Sequence, residues 1–200
     1  MKKWRCKVCN YIHTGETPPK ECPICGASAD EFVLIEESDN ENNNQNIQKV
    51  LFNISYGLYV ITSHKDDKIN GMTSNSFVQM TSTPMQAVVG INKNNLTSEY
   101  ILDSKVFAVN FIGNNNVFEV KRFGYNSGRN FNKFKNINYK SSEITNCPLL
   151  LNTIGYVDCE IIEDKCVDLG THTLFVAKVI GGEIFNEDVP MTYAHYRTIK

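Results

Sequence analysis

Cys6-Lys7-Val8-Cys9 and Cys22-Pro23-Ile24-Cys25, two C-x2-C pairs with twelve residues between them, decide how the start of this chain folds. Each pair lets the backbone bend around one ion, so that four thiolates converge on a tetrahedron suited to iron or zinc. Asn10 and Gly26 directly follow the two pairs. Both residue types tolerate the left-handed backbone that points amide N–H groups at thiolate sulfur, and such hydrogen bonds help to set a redox potential. Spacing alone leaves Fe and Zn open, and with them a zinc ribbon in which the metal only holds the fold together. Either way, a module this short buries too little to fold well unaided, so metal binding and folding are coupled.

Working outward, residues 1–35 are loop-rich, with Gly15, Pro18, Pro19, Pro23 and Gly26 among them, and read as one small metal-binding domain. Residues 36–46, EESDNENNNQN, contain no apolar side chain and are expected to form a flexible linker. As a random coil its eleven residues would span about 18 Å. A second domain is expected over 47–200. Ile47, Val50, Leu51 and Ile54 recur at helical spacing, after which Leu58-Tyr59-Val60-Ile61-Thr62 has the β-branched and aromatic character of a strand. Further strands are expected at 77–81, 87–91, 106–111, 156–162 and 172–185, and helices near 97–103 and 116–123. Antiparallel strands with a few short helices predict a mainly β protein, a closed or nearly closed barrel.

Composition narrows the function classes. Hydrophobic residues at 42% and charged residues at 21% are ordinary for a globular chain, and a formal net charge of -2 gives no field for a phosphate backbone, so nucleic acid is not expected as a partner. No run of eighteen apolar residues and no signal-peptide core follows the basic start, so a cytoplasmic protein without a membrane span is expected. In that reducing compartment the paired cysteines point to metal or redox chemistry. Cys147, Cys159 and Cys166 lack paired spacing and read as buried free thiols.

Trp4-Arg5-Cys6-Lys7-Val8-Cys9-Asn10-Tyr11-Ile12-His13, then Pro19-Lys20-Glu21-Cys22-Pro23-Ile24-Cys25-Gly26-Ala27 and Phe32-Val33-Leu34, resemble the short rubredoxin domain of rubrerythrins. Asn10 stands where that family usually has Gly. The resemblance implies a mononuclear Fe(Cys)4 one-electron centre held by Cys6, Cys9, Cys22 and Cys25, and favours Fe over Zn.

The larger domain lacks a G-x-G-x-x-G stretch opening a helix, so any flavin is held without the usual dinucleotide fingerprint. A strand ending in Thr62-Ser63, a turn at Asn70-Gly71, and Met72-Thr73-Ser74-Asn75-Ser76-Phe77 offer hydroxyls, amides and backbone N–H groups at a strand edge. These can bind a phosphate or the polar edge of a flavin ring, although such runs are also ordinary solvated hairpins. In their order, Ser55 to Ser63, Asn70 to Phe77, Ile91-Asn92-Lys93-Asn94-Asn95-Leu96-Thr97, Phe123 to Arg129 and Gly170-Thr171-His172-Thr173-Leu174 resemble the flavin reductase-like proteins, which include flavoredoxins and the reductase components of two-component monooxygenases. That family implies an FMN-binding split β-barrel, Greek-key-like, usually a homodimer. By motif position Thr62, Thr73, Ser74, Asn75, Ser76 and Phe77 would serve the flavin ring and ribityl chain, and Lys93, Asn95, Thr97 and Ser98 the phosphate. His172 would lie near the flavin. Thr171 replaces the Asp of the family's Gly-Asp-His-Thr-Leu pattern, which puts a nicotinamide role for His172 in doubt.

Fusions of the two domains resemble the high-molecular-weight rubredoxins of anaerobes, although here the rubredoxin comes first. The resemblance implies an electron-transfer protein fed by a pyridine-nucleotide-linked donor or by NAD(P)H directly, with a flavodiiron oxygen or nitric oxide reductase as acceptor. The alternative is an NAD(P)H:flavin reductase with a structural Zn(Cys)4 module.

Overall fold

The computed structural model describes residues 2–35 and 39–199, in two compact units, Met1–Ile54 and Ser55–Lys200. In the first, β1 (Lys3–Cys6), β2 (Ile12–Thr14) and β3 (Phe32–Ile35) form an antiparallel sheet in the order β2-β1-β3. Its core is Cys6, Cys22, Ala27 and Phe32, with Trp4, Val8 and Tyr11 packed around them. The Trp4 indole N–H donates to the Gly15 carbonyl at 3.1 Å. With two of four core residues being cysteines, little apolar area is left to drive folding, as the length of the module leads one to expect.

Helix α1 (Asp39–Leu51) covers most of the residues expected to form a coil. Residues 36–38 of that segment lie outside the described residues. A helix pairs its own backbone groups and so needs no core, and the helical spacing of Ile47, Val50 and Leu51 continues into it from its C-terminal end. The Asn53 amide closes that end by donating to the Lys49 carbonyl at 2.8 Å.

The second unit runs β4 (Tyr59–Lys65), β5 (Lys68–Ser74), β6 (Val78–Ser82), β7 (Met85–Asn92), α2 (Leu96–Ser104), β8 (Val106–Phe111), α3 (Val117–Gly124), β9 (Tyr139–Ser141), β10 (Pro148–Leu150), β11 (Gly155–Ile161), β12 (Val167–Asp168), β13 (His172–Ile184) and α4 (Tyr193–Ile199). The main sheet has the order β5-β4-β8-β11-β13-β7-β6, with β12 on β13, and all its pairings are antiparallel. Ile61 of β4, Val89 and Ile91 of β7, Phe107 and Val109 of β8, Cys159 of β11 and Phe175 of β13 share one core. Strands far apart in the sheet order meet on one interior, so the sheet is rolled. Its two edge strands, β5 and β6, are not paired with each other, which makes it a split barrel rather than a closed one.

Alternation along β4 builds a second core. Ile61 faces the barrel interior, whereas Leu58 and Val60 face outward to Val120 and Phe123 of α3, Phe134, Met191 and Tyr196 of α4. Helix α3 is thereby seated beside β5.

The turn expected at Asn70-Gly71 lies instead at Asp66-Asp67, and Asn70 and Gly71 are inside β5. Asp66 takes the positive φ, 50°, that the hairpin needs. Gly71 is required for another reason: a Cβ there would come within 3.0 Å of Phe123 Cδ1 and Thr62 Cγ2. The expected strands at 77–81, 87–91, 106–111, 156–162 and 172–185 correspond to β6, β7, β8, β11 and β13, with shifts of up to two residues at their ends.

Candidate functional sites

The two C-x2-C pairs form a pair of matching turns. The Asn10 and Gly26 amides donate to the Cys6 and Cys22 carbonyls, each at 2.9 Å, and the Cys6 and Cys22 amides donate to the Tyr11 and Ala27 carbonyls at 2.9 and 2.7 Å. Asn10 and Gly26 sit at φ 61° and 73°, in the left-handed region that their residue types allow. Cys6 and Cys22 are buried, and Cys9 and Cys25 are half-buried, so one edge of the cluster faces solvent.

The four Sγ atoms all lie within 4.8 Å of one another, with Cys6 to Cys25 at 3.7 Å and Cys9 to Cys22 at 3.5 Å. A tetrahedral ion with metal–sulfur bonds of about 2.3 Å needs sulfur–sulfur edges of about 3.8 Å. The donor set therefore fits a thiolate-loving metal. Burial pushes the Cys9 thiol up to about 11 and raises Cys25 further. Burial acts upward on Cys22 too, but the Ile24 and Cys25 amides and the neighbouring thiols outweigh it and lower the net value. A cation at the centre relieves the cost of holding such thiolates together.

In the barrel, the residues singled out from the sequence fall around β5 and the start of α2. Asn95 is the residue before α2, and its side-chain amide reaches Met72 Sδ of β5 at 3.5 Å without capping the helix. Asn70 Nδ2 donates to Thr97 Oγ1 at 2.9 Å. Arg129 pairs with Glu99 of α2 and reaches the Asn94 carbonyl at 3.5 Å. It was not singled out from the sequence, where it was one cation in a polar stretch; only the fold carries it to the start of α2. Ser98, fully buried, has a hydroxyl with no hydrogen-bond partner among the described residues. A buried hydroxyl left unpaired is costly, and this one sits in the first turn of α2, whose Glu99 holds the Arg129 guanidinium.

Along β5, most of the hydroxyls already have partners. Thr73 donates to the Val120 carbonyl at 2.9 Å, Ser74 and Ser76 share a hydrogen bond of 2.9 Å, and Ser76 donates to the Gly90 carbonyl of β7 at 2.8 Å. The Asn75 side chain makes no hydrogen bond among the described residues. Phe77 is buried, edge-on to Tyr59 and Phe111 at 5.4 and 6.1 Å between ring centres. A Cβ at Gly124 would meet Thr73 at 3.4 Å, so the C-terminal end of α3 lies close against β5.

Thr62 lies apart from this group. It is in the middle of a central strand, fully buried, donating to the Pro148 carbonyl at 2.6 Å and receiving the Asn110 amide at 3.2 Å. Its hydroxyl is occupied in joining β4 to β8 and β10.

Lys93 directly follows β7, and His172 opens β13, paired with Asn92 at the end of β7. Lys93 pairs with Asp168 at 2.5 Å, and its amide donates to the Thr171 carbonyl at 3.0 Å. His172 shares a hydrogen bond of 2.9 Å with the Thr171 hydroxyl, and burial lowers its pKa below the ordinary imidazole value. Of the three remaining cysteines, Cys147 and Cys159 are buried as expected, with burial pushing Cys147 up to about 12 and Cys159 higher; Cys166 is half-buried instead.

A split antiparallel barrel of this topology, in one chain with a four-cysteine knuckle module, defines a flavin reductase-type protein with a rubredoxin-type domain. The comparisons agree. The chain belongs to the flavin reductase like family, whose model matches residues 51–200, and the rubrerythrin, rubredoxin-like domain matches residues 4–33. It is similar to the high molecular weight rubredoxin of Moorella thermoacetica, 37% identical over 153 residues that cover 76% of this chain and 66% of that protein. The chain thus spans just under two thirds of that relative's length. It is also similar to the ferric-chelate reductase (NAD(P)H) of Archaeoglobus fulgidus, 32% identical over 154 residues, 76% of this chain and 89% of that protein. Among solved structures, the NADH:FAD oxidoreductase of Streptomyces globisporus has the same fold, with a TM-score of 0.68 at 20% identity over 79% of this chain and 92% of that one. No helix among the described residues is long and apolar enough to cross a membrane.

Proposed function

We propose that this chain is an electron-transfer flavo-rubredoxin, with FMN in the barrel and a mononuclear Fe(Cys)4 centre in the N-terminal module. The observation that carries the reading is that one chain combines a close four-thiol cluster with a flavin reductase-type barrel. A flavin supplies exchange between paired and single electrons, and an Fe(Cys)4 centre passes one electron with little change in its ligands. In the module, Cys6, Cys9, Cys22 and Cys25 hold the metal, the two turns aim amides at sulfur, and Cys9 and Cys25 form the solvent-facing edge. In the barrel, Asn95, Ser98 and Arg129 receive the phosphate, with the Lys93 turn beside them. Thr73, Ser74, Asn75, Ser76 and Phe77 form the wall for the ring and ribityl chain, largely through backbone groups and the Asn75 amide. Thr97 supports that wall by holding Asn70.

The donor is a pyridine-nucleotide-linked reductase or NAD(P)H itself, and the acceptor a redox protein such as a flavodiiron oxygen or nitric oxide reductase. The chain works as a homodimer in the cytoplasm. His172, with Nδ1 hydrogen-bonded to the Thr171 hydroxyl, lies near the flavin at the start of β13.

Metal analysis and the visible spectrum of freshly purified protein test this reading. One iron and one FMN per chain are expected. Zinc without iron, in protein made with adequate iron, would count against it. A second reading, an NAD(P)H-dependent reductase with a structural Zn(Cys)4 module, draws on the likeness to the Archaeoglobus reductase, and loss of all flavin on desalting together with zinc would favour it.

A further inference from the structure

Lys133 is only 5% exposed, and none of the ion pairs among the described residues involves it. Its Nζ donates to the Gly71 carbonyl at 2.8 Å and to the Phe123 carbonyl at 2.9 Å. Lysine is rarely buried without a carboxylate, because a buried charge is expensive, and a neutral amide would bridge two carbonyls at less cost. The positive charge therefore calls for a reason beyond the bridge.

Its position supplies one. Gly71 belongs to β5, an edge strand paired on one side only, and Phe123 belongs to the last turn of α3. In the flavin reading of the barrel β5 supplies the wall of the cleft, and α3 packs directly on that strand: the Thr73 hydroxyl donates to the Val120 carbonyl and Gly124 lies against Thr73. The lysine is also held in place from behind. Arg122 Nε donates to the Lys133 carbonyl at 2.9 Å, its Nη2 to the Lys135 carbonyl at 2.7 Å, and its guanidinium lies 4.5 Å from the Phe131 ring centre. The negative end of the α3 dipole at Phe123 meets part of the charge, and no carboxylate meets the rest.

We propose that Lys133 is a positioning residue of the flavin cleft, a fixed positive charge behind the β5 wall that favours the more negative, reduced form of the flavin bound there. The assignment rests on the flavin reading of the barrel. Burial lowers Lys133 to about 8, still above neutral pH. Through the low-dielectric wall a unit charge discriminates between flavin states that differ by one charge.

The test is the midpoint potential of FMN bound to the full-length chain, compared in wild type, Lys133→Gln and Lys133→Met. Glutamine keeps a donor for the two carbonyls and removes the charge, so it separates the bridge from the field. Both variants are expected to lose about tenfold in the ratio of affinities for reduced and oxidised FMN, a shift of about 30 mV to more negative potential for two electrons. Variants that fold and bind oxidised FMN but keep the wild-type potential overturn the proposal. So does loss of the barrel fold in both, read by circular dichroism, which would make Lys133 a structural tie alone. If the wild-type chain itself shows no affinity for FMN, the flavin reading falls as well.

Discussion

Asn10 and Gly26 occupy equivalent places: each follows the second cysteine of its pair, has positive φ, and donates its amide to the carbonyl of the first cysteine at 2.9 Å. The two turns differ in what that conformation costs, since glycine adopts it freely and asparagine tolerates it. Asn10→Gly is therefore expected to be neutral or slightly stabilising. Asn10→Val, with a branched Cβ, is expected to cost about 1–2 kcal/mol. Thermal melting of the metal-loaded chain checks both; equal stability of the two variants would remove the turn from the account.

Trp4 is the chain's single tryptophan, and its indole is bonded within the metal module. Metal removal by a chelator at mildly acid pH, where thiolates are more readily protonated, should unfold that module and shift Trp4 emission to the red. The β signal of the barrel should persist, because its cores contain none of Cys6, Cys9, Cys22 and Cys25. Replacing any one of Cys6, Cys9, Cys22 or Cys25 by serine should have the same effect on Trp4. Unchanged emission after complete metal loss would show that the module folds without its ion.

Ser98 gives opposite expectations for stability and binding. Its hydroxyl is buried and unpaired, so Ser98→Ala should leave the flavin-free chain as stable or more stable by about 1 kcal/mol. The same change should weaken FMN binding several-fold, and Arg129→Gln should do so as well. Fluorescence titration with FMN and with riboflavin, which lacks the phosphate, separates the effects: both variants should lose affinity for FMN and little for riboflavin.

Gly71→Ala places a methyl group within 3.0 Å of Phe123 and Thr62, both buried in the centre of the domain. The ring or the threonine methyl must shift to admit it, so a loss of about 1–3 kcal/mol is expected. Urea denaturation of the barrel measures it, and a neutral result would mean that α3 can move away from β5.

How much of this was legible in the sequence depended on how local the signal was. The four-cysteine cluster is written in two short repeats, and its thiols and the left-handed residues Asn10 and Gly26 stand where the spacing puts them. The strand β8 was legible to the residue, because Val106-Phe107-Ala108-Val109-Asn110-Phe111 is continuously apolar but for one amide. Strand β5 was not, because Asn70-Gly71 reads as a hairpin turn when nothing reveals that Gly71 is needed for packing on Phe123. The asparagine-rich stretch read as coil because residues 39–46 of α1 carry no apolar side chain and so leave no hydrophobic period. Thr62, Arg129 and Lys133 were beyond local reading for one reason: whether a hydroxyl is spent inside the sheet, or a cation is carried to a helix start or into a core, depends on partners distant along the chain.

An anaerobic reductive titration tests the central claim of two redox centres in one chain most directly. With dithionite added stepwise to freshly purified protein and the visible spectrum followed, the account predicts three electrons taken up per chain, two by the flavin and one by the iron. An end point at two electrons, with no component beyond the flavin, would contradict it.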